Sequence, residues 1–150
     1  MSIDLPVDAH LPRAYIARDD VRLEAYRHLA AVTTDHDVDD VASEWADRYG
    51  PLPPPAAALL DVARLRVACL ARGIREVSLQ HGRARFTGLD LRKSQEVRLK
   101  RLAPGSTVLD GVVTVPFSGT GAAASIAEAL RLVLAEIAPV DRAPVASTSA

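Results

Sequence analysis

The stretch Glu44-Trp45-Ala46-Asp47-Arg48-Tyr49-Gly50-Pro51-Leu52-Pro53 carries the end of one helix through a Gly-Pro stop into the start of another. Glycine often follows the last turn of a helix, and proline cannot continue the helix. Upstream, Thr34 followed by an aspartate provides a helix cap, so the pattern predicts a helix over 35–49. Downstream, the prolines at 53–55 suit the first turn of a further helix, which is expected to run to Arg72.

The helix over 35–49 has an apolar stripe and, beside it, a row of charges. The apolar residues that recur at helical spacing are Val38, Val41, Ala42, Trp45 and Tyr49. The acidic residues that follow at steps of three, four and three are Asp37, Asp40, Glu44 and Asp47. Arg48 lies four residues after Glu44, close enough on a helix to pair with it. The row is either a solvated face or an ionic docking site. In a docking site, the carboxylates would accept a bidentate contact from a partner arginine, and the Arg48 guanidinium would donate to a partner carboxylate.

Two other helices are predicted in the first half of the chain. Asp19 or Asp20 caps the first helix, which reaches about Val32. Its inward stripe is predicted as Val21, Ala25, His28 or Leu29, and Val32. The helix that starts at 53–55 is apolar around most of its circumference, so it is expected to be the central buried helix. Its predicted inward residues are Leu59, Leu60, Val62, Ala63, Val67, Leu70 and Ala71.

After Gly73 the hydrophobic period changes from helical to alternating. Two hairpins are predicted, which turn at His81-Gly82 and Asp110-Gly111. Segment 94–102 is predicted as a short helix, although its alternation also permits a strand. Its expected inward residues are Val97, Leu99 and Leu102. A final helix is predicted from near Gly121 to Ala138. The sequence therefore predicts an α+β fold, with N-terminal helices, a small mainly antiparallel sheet of two hairpins, and a C-terminal helix.

One folded domain over 1–138 and a disordered tail over 139–150 are predicted, because the tail has nothing to bury. Segment 3–12 is expected to be extended and has no capping element. This is typical of a domain cut from the C-terminal end of a longer chain, so a fragment is suspected.

Composition indicates an ordinary globular protein with a formal net charge of −1. The apolar runs are far shorter than the ~20 residues that a membrane span requires, and no basic-then-apolar leader opens the chain. A cytoplasmic location is therefore expected. Cys69 is the only cysteine, which excludes an internal disulfide and a cysteine-based metal cage. Its apolar neighbours favour a buried, inert thiol over a nucleophile.

The sequence shows no catalytic constellation. The four histidines fall in different segments without the spacing of metal ligands. Stretch 119–125 resembles a phosphate-binding loop, but it lacks the lysine that such a loop uses, so the start of a helix explains it better. Asp39 and Asp40 point about 100° apart on a helix and do not face one reacting atom. No enzyme active site, cofactor or metal is expected, and a small enzyme of unrecognised type remains the weaker alternative.

Basic residues concentrate in the middle of the chain and raise a second interpretation, a nucleic-acid-binding module. The residues that such a module would use are Arg83, Arg85, Arg92, Lys93, Arg98, Lys100 and Arg101. Phe86 is the only aromatic residue of this region, so a stacking platform for single strands is missing. A scattered solvated surface is the competing explanation.

Several segments resemble the C-terminal domain of the bacterial transcription-repair coupling factor, Mfd. They are the quoted stretch 44–53, the run Ala58-Leu59-Leu60-Asp61-Val62-Ala63-Arg64-Leu65-Arg66, the following Gly73-Ile74-Arg75, and upstream Arg22-Leu23-Glu24-Ala25-Tyr26-Arg27 with 6–12. The resemblance runs from about Ile3 to Ile137 and is loose after Arg83.

This resemblance implies an autoinhibitory regulatory domain of a DNA-translocating repair protein. Such a domain packs on the N-terminal UvrB-like module of the same protein, masks its UvrA-binding surface and restrains the ATPase motor until RNA polymerase is engaged. The family's contacts fall on a Glu-x-x-Asp-Arg motif, which here is Glu44, Asp47 and Arg48. Partners are therefore expected to be that module directly, and UvrA and RNA polymerase indirectly, with no membrane and no direct DNA contact.

Overall fold

A computed structural model describes residues 1–119, 123 and 125–140. Within these residues, five helices accompany a five-stranded sheet. The elements in chain order are β1 (Ser2–Asp4), α1 (Asp19–Ala30), α2 (Asp35–Tyr49), α3 (Pro54–Leu70), β2 (Glu76–Gln80), β3 (Arg83–Thr87), α4 (Lys93–Leu102), β4 (Thr107–Leu109), β5 (Val112–Pro116) and α5 (Ile126–Ile137). The α+β fold predicted from the sequence is confirmed. No helix of the described part is long and apolar enough to cross a membrane.

The helix α2 has the bounds that the sequence predicted. The Thr34 hydroxyl accepts a hydrogen bond from the Asp37 backbone N–H, and the Asp37 carboxylate accepts one from the Thr34 backbone N–H. This reciprocal capping box satisfies two of the backbone donors that every helix start leaves free. At the other end Gly50 has a φ of 95°, a conformation that a glycine adopts without strain. Local signals therefore fix both ends of the helix.

The sheet is mixed, with strand order β1-β2-β3-β5-β4. Both predicted hairpins are present, and β3 pairs with β5 to join them into one antiparallel sheet. His81 and Asp110 have φ values of 52°, and the glycine after each is also left-handed, as the tight turns of two-residue hairpins require. The sequence did not predict a strand in the N-terminal segment. The structure has one there, β1, which pairs in parallel with β2.

Two hydrophobic clusters divide the described part of the molecule. The first lies among α1, α2 and the first half of α3, around the fully buried Trp45. The second lies between the sheet and α3, α4 and α5, around Phe86 and Leu134. The helix α3 contributes Leu60 to the first cluster and Leu65 to the second. Because it serves both clusters, α3 is the central helix that its apolar circumference predicted.

Several inward residues were predicted wrongly, mostly on half-covered helices. In α4, Leu99 is buried, but Val97 is 60% exposed and Leu102 is 50% exposed. Described residues cover the helix from one side only, so its short apolar set cannot all reach the core. In α3, Leu70 is half exposed, and Ala71 just after the helix is exposed. In α1, where the sequence left His28 or Leu29 open as the inward residue, the buried one is Leu29.

The ends of the chain's first and last helices also differ from the prediction. The residue before α1 is Arg18, whose side chain makes no capping hydrogen bond, and α1 ends at Ala30. The final helix begins at Ile126, because the Ser125 hydroxyl accepts a hydrogen bond from the Glu128 N–H. Its predicted start at Gly121 and the tail 141–150 lie outside the described residues.

Candidate docking surface on α2

Glu44, Asp47 and Arg48 all have exposed side chains on α2, along the flank of its buried stripe. Val41 and Trp45, which lie beside these charged residues around the helix, are buried in the first hydrophobic cluster. A buried indole and a capped helix start fix the backbone from which the three charged side chains project. The structure therefore brings the three residues of the motif together on one surface.

Glu44 has two loose partners among the residues that the structure describes. Its Oε2 atom lies 3.8 Å from Nδ1 of His28 on α1 and 3.9 Å from a guanidinium nitrogen of Arg48. Exposed ion pairs at such distances contribute about 0–1 kcal/mol. The carboxylate is therefore available to a partner that offers a shorter, bidentate contact. Asp47 takes part in no ion pair among the described residues.

His28 is a member of this surface that the sequence did not identify. It was predicted as a possible inward residue of α1, but its side chain is half exposed and faces Glu44. The contact joins two helices, and nothing in the local pattern around His28 signals it. The next residue, Leu29, is the buried one.

The C-terminal end of α2 is held by a pair of tyrosines. The Tyr15 hydroxyl donates to the carbonyl oxygens of Trp45, at 3.1 Å, and Gly50, at 2.9 Å. Its ring meets that of Tyr49 edge to face, with 5.7 Å between centroids. The Arg48 guanidinium lies 5.2 Å from the centroid of the Tyr49 ring, within cation–π range. Burial, and then the neighbouring Tyr49, raise the pKa of Tyr15.

The acidic row is shorter than the spacing suggested. The Asp37 carboxylate accepts hydrogen bonds from the N–H groups of Thr33 and Thr34, and these bonds hold its pKa below the ordinary value. Asp40 lies 3.6 Å from a ring nitrogen of His36. Asp37 is thus engaged in capping the helix, and the part of the row open to a partner consists of Glu44 and Asp47, with Asp40 at its edge.

A groove of about 450 Å³ runs beside this surface, between α1 and α2. Its lining residues are Asp20, Val21, Glu24, Ala25, His28, Glu44, Arg48 and Tyr49. Carboxylates from both helices face it, with one arginine and one histidine among them. Such a lining can receive a charged side chain from another protein surface.

The described residues hold no group of three or more His, Cys, Asp or Glu side chains that could bind a metal ion. Asp39, adjacent to Asp40 in sequence, pairs instead with Arg64 of α3 at 2.6 Å. Cys69 is buried in the second cluster, and burial raises the pKa of its thiol to about 12. A thiol with that pKa remains protonated near neutral pH and is a poor nucleophile.

The seven basic residues of the alternative interpretation lie in two separate places. Arg83 and Arg85 are exposed on the outer face of the sheet, because Ala84 and Phe86, which alternate with them, are buried on the inner face. The other five lie on α4 or immediately before it, and α4 packs through Leu99 against the inner face of the sheet. The seven residues therefore do not form one continuous basic surface.

Comparison with known proteins supplies the family. A model of the TRCF domain family matches residues 5–101. The transcription-repair-coupling factors of Mycobacterium bovis and Mycobacterium tuberculosis are each 48% identical to this chain over 122 residues, which cover 79% of this chain and 10% of each relative. That of Escherichia coli is 36% identical over 75 residues, which cover 50% of this chain and 6% of the relative. This chain thus spans a tenth or less of the length of these curated relatives.

A solved structure has the same fold. The crystal structure of a C-terminal domain of transcription-repair coupling factor superposes with a TM-score of 0.76, at 15% sequence identity, over 95% of this chain and 94% of that one. At that identity the likeness is one of fold, and the mixed α+β architecture agrees with the prediction from the sequence. The family model covers well over half of the chain, so the resemblance read from the sequence is confirmed. This chain belongs to the TRCF domain family.

Proposed function

We propose that this chain is an autoinhibitory regulatory domain of a cytoplasmic, DNA-translocating transcription-repair coupling factor. In this proposal, Glu44, Asp47 and Arg48 dock on the N-terminal UvrB-like module of the same protein. Docking masks the surface of that module that binds UvrA and restrains the ATPase motor, and engagement of RNA polymerase releases it.

One observation carries the proposal: the three side chains of the motif are exposed together on a helix whose backbone is rigidly supported. Trp45 of α2 is buried in the first hydrophobic cluster, and the Tyr15 hydroxyl donates to two carbonyls near the C-terminal end of the helix. Because the backbone beneath these charges is already ordered, mainly side-chain conformational entropy is lost when a partner binds. The exposure of all three side chains leaves them accessible to a partner, which supports the docking proposal.

The strength of the proposed contact suits a latch that must release. Partly exposed charge pairs contribute about 1 kcal/mol each, so three of them give a coupling of about 3 kcal/mol. Such a coupling holds more than nine-tenths of the molecules in the docked state, yet a competing partner can overcome it. Charged contacts of this kind also discriminate strongly between partners.

The parent protein provides the functional test. The variant Glu44→Ala/Asp47→Ala/Arg48→Ala should raise the basal ATPase rate and increase UvrA binding, because the latch is lost. The matched control is Arg75→Ala/Glu76→Ala/Asp90→Ala, which removes the same three residue types from exposed positions on the sheet half of the molecule.

The control variant should leave both activities at their wild-type values. The proposal fails if the folded motif variant keeps the wild-type ATPase rate and UvrA affinity, or if both triple variants raise them equally. Circular dichroism of the isolated 150-residue chain separates loss of docking from loss of the fold. A motif variant that unfolds would instead assign these residues to the stability of the domain.

A further inference from the structure

The helix α4 and the residue before it carry a concentrated positive charge. The basic residues are Arg92, Lys93, Arg98, Lys100 and Arg101, against one acidic residue, Glu96. The only two lysines of the chain, Lys93 and Lys100, are both among them. This charge stands out in a protein whose formal net charge is −1. It also lies on the sheet half of the molecule, away from the acidic residues of α2.

Lys93 and Arg101 project from the side of the helix that faces away from the core. Leu99 is fully buried and marks the inward direction of α4. On a helix of 3.6 residues per turn, Lys93, Val97 and Arg101 then lie on the outward side, one above another. Val97 is 60% exposed at the centre of this row. Lys93 and Arg101 are about 12 Å apart along the axis, at 1.5 Å per residue.

Neighbouring acids neutralise only part of this charge. Lys100 pairs with Glu96 at 3.2 Å, and Arg98 pairs with Glu136 of α5 at 3.4 Å. Both pairs are exposed, and such pairs are weak enough to exchange for another anion. Among the described residues, Lys93 and Arg101 form no ion pair with any carboxylate.

We infer that the outward face of α4 binds the phosphate backbone of double-stranded nucleic acid. Phosphate contacts need positive charge but no aromatic platform, so the absence of aromatic residues from this face does not oppose them. Lysine is depleted in protein–protein interfaces, and the described apolar surface of this face is little more than Val97, which disfavours a protein partner. The inference is independent of the docking role proposed for α2.

The salt dependence of binding gives a quantitative test. A duplex that contacts Lys93, Arg98, Lys100 and Arg101 displaces counterions at about four phosphates. Its Kd should then rise about 100-fold between about 50 and about 200 mM salt. The measurement is fluorescence anisotropy of a labelled DNA duplex of mixed sequence, titrated with the full 150-residue chain at several salt concentrations.

A pair of charge-matched variants locates the contact. Lys93→Gln/Arg101→Gln removes two charges that have no partner in the described part of the chain. About two contacts then remain, so the Kd should rise only about 10-fold over the same salt range. Arg83→Gln/Arg85→Gln removes two charges from the outer face of the sheet and should retain the wild-type salt dependence. Thermal unfolding by circular dichroism verifies that both variants are folded.

Three results would overturn the inference. The first is a wild-type chain that does not bind the duplex even at low salt. The second is an equal change in the salt dependence of the Kd in both variants, which would mean that the duplex is attracted by the overall charge and not by α4. The third is a poly-glutamate of the same charge that binds as tightly as the duplex, which would assign the face to acidic protein segments. The α2 motif variant should bind the duplex like wild type, so failure here is distinguishable from failure of the docking proposal.

Discussion

The hydroxyl of Tyr15 provides the sharpest test of how the C-terminal end of α2 is supported. This hydroxyl donates to the carbonyls of Trp45 and Gly50 at the end of α2. Tyr15→Phe keeps the ring contact with Tyr49 but leaves both carbonyls without this donor. A net hydrogen bond contributes about 1 kcal/mol, and a partly buried carbonyl left unpaired adds to the loss. The free energy of unfolding should therefore fall by about 1–2 kcal/mol.

Urea unfolding followed by the fluorescence of Trp45, the only tryptophan, measures this change. With a denaturant dependence of about 2 kcal/mol per molar urea, the midpoint should fall by about 0.5–1 M. Tyr49→Phe is the matched control, because the Tyr49 hydroxyl makes no hydrogen bond among the described residues. It should shift the free energy of unfolding by less than about 0.5 kcal/mol. Equal effects of the two variants would refute the role given to the Tyr15 hydroxyl.

Ionisation of Tyr15 should also lower the stability of the folded protein at alkaline pH. Its pKa is raised in the folded protein, which means that folding favours the neutral phenol. This contribution to stability is fully present below the pKa of about 10 that an unfolded tyrosine has. It is lost as the pH rises through the higher value of the folded state. Wild-type stability should therefore decline above about pH 10, and Tyr15→Phe should lose less over the same interval. An identical decline in both proteins would contradict the assignment.

Three further predictions test the surrounding packing. Arg66 donates hydrogen bonds to three carbonyls at and after the end of α1. Arg66→Met should therefore lower the free energy of unfolding, measured by urea denaturation, by about 2 kcal/mol. A change below about 0.5 kcal/mol would mean that these hydrogen bonds do not stabilise the fold. The buried Cys69 thiol should react with a disulfide reagent only at the rate of unfolding, whereas rapid reaction of the folded protein would show that the site opens locally. On α4, Leu99→Ala should cost about 2–5 kcal/mol and Val97→Gln less than about 0.5 kcal/mol, and the reverse order would mean that the helix is turned the other way.

Local signals explain what could be predicted from the sequence. The bounds of α2 follow from a cap at Thr34 and a stop at Gly50, and both signals act within one helical turn. The turns at His81-Gly82 and Asp110-Gly111 follow from residues that tolerate left-handed backbone. The motif residues were placed on an exposed face because the helical period of their apolar neighbours is strong.

Contacts distant in sequence explain what could not be predicted. The pairing of β1 with β2 joins segments more than seventy residues apart, and the short apolar alternation at Ile3 carries no information about its partner. The contact of His28 with Glu44 likewise depends on how α1 crosses α2. The outward position of Val97 depends on which side of α4 the core covers.

Asp37 is a different case, because the signal for its role was local. Its position three residues after Thr34 is that of a capping box, in which an acidic side chain returns to the backbone at the helix start. The regular spacing of the acidic residues placed it in the charged row instead. The structure shows the capping role, because the Asp37 carboxylate accepts from the Thr34 N–H and the Asp37 N–H donates to the Thr34 hydroxyl.

The most direct measurement of the docking proposal is the affinity of this chain for its proposed partner, an isolated N-terminal UvrB-like module from the same parent protein. Calorimetric titration at low salt should detect binding that weakens as salt is added, since charged contacts are screened. The variant Glu44→Ala/Asp47→Ala/Arg48→Ala should weaken binding by about 100-fold, which corresponds to about 3 kcal/mol. Wild-type affinity in that folded variant would contradict the account.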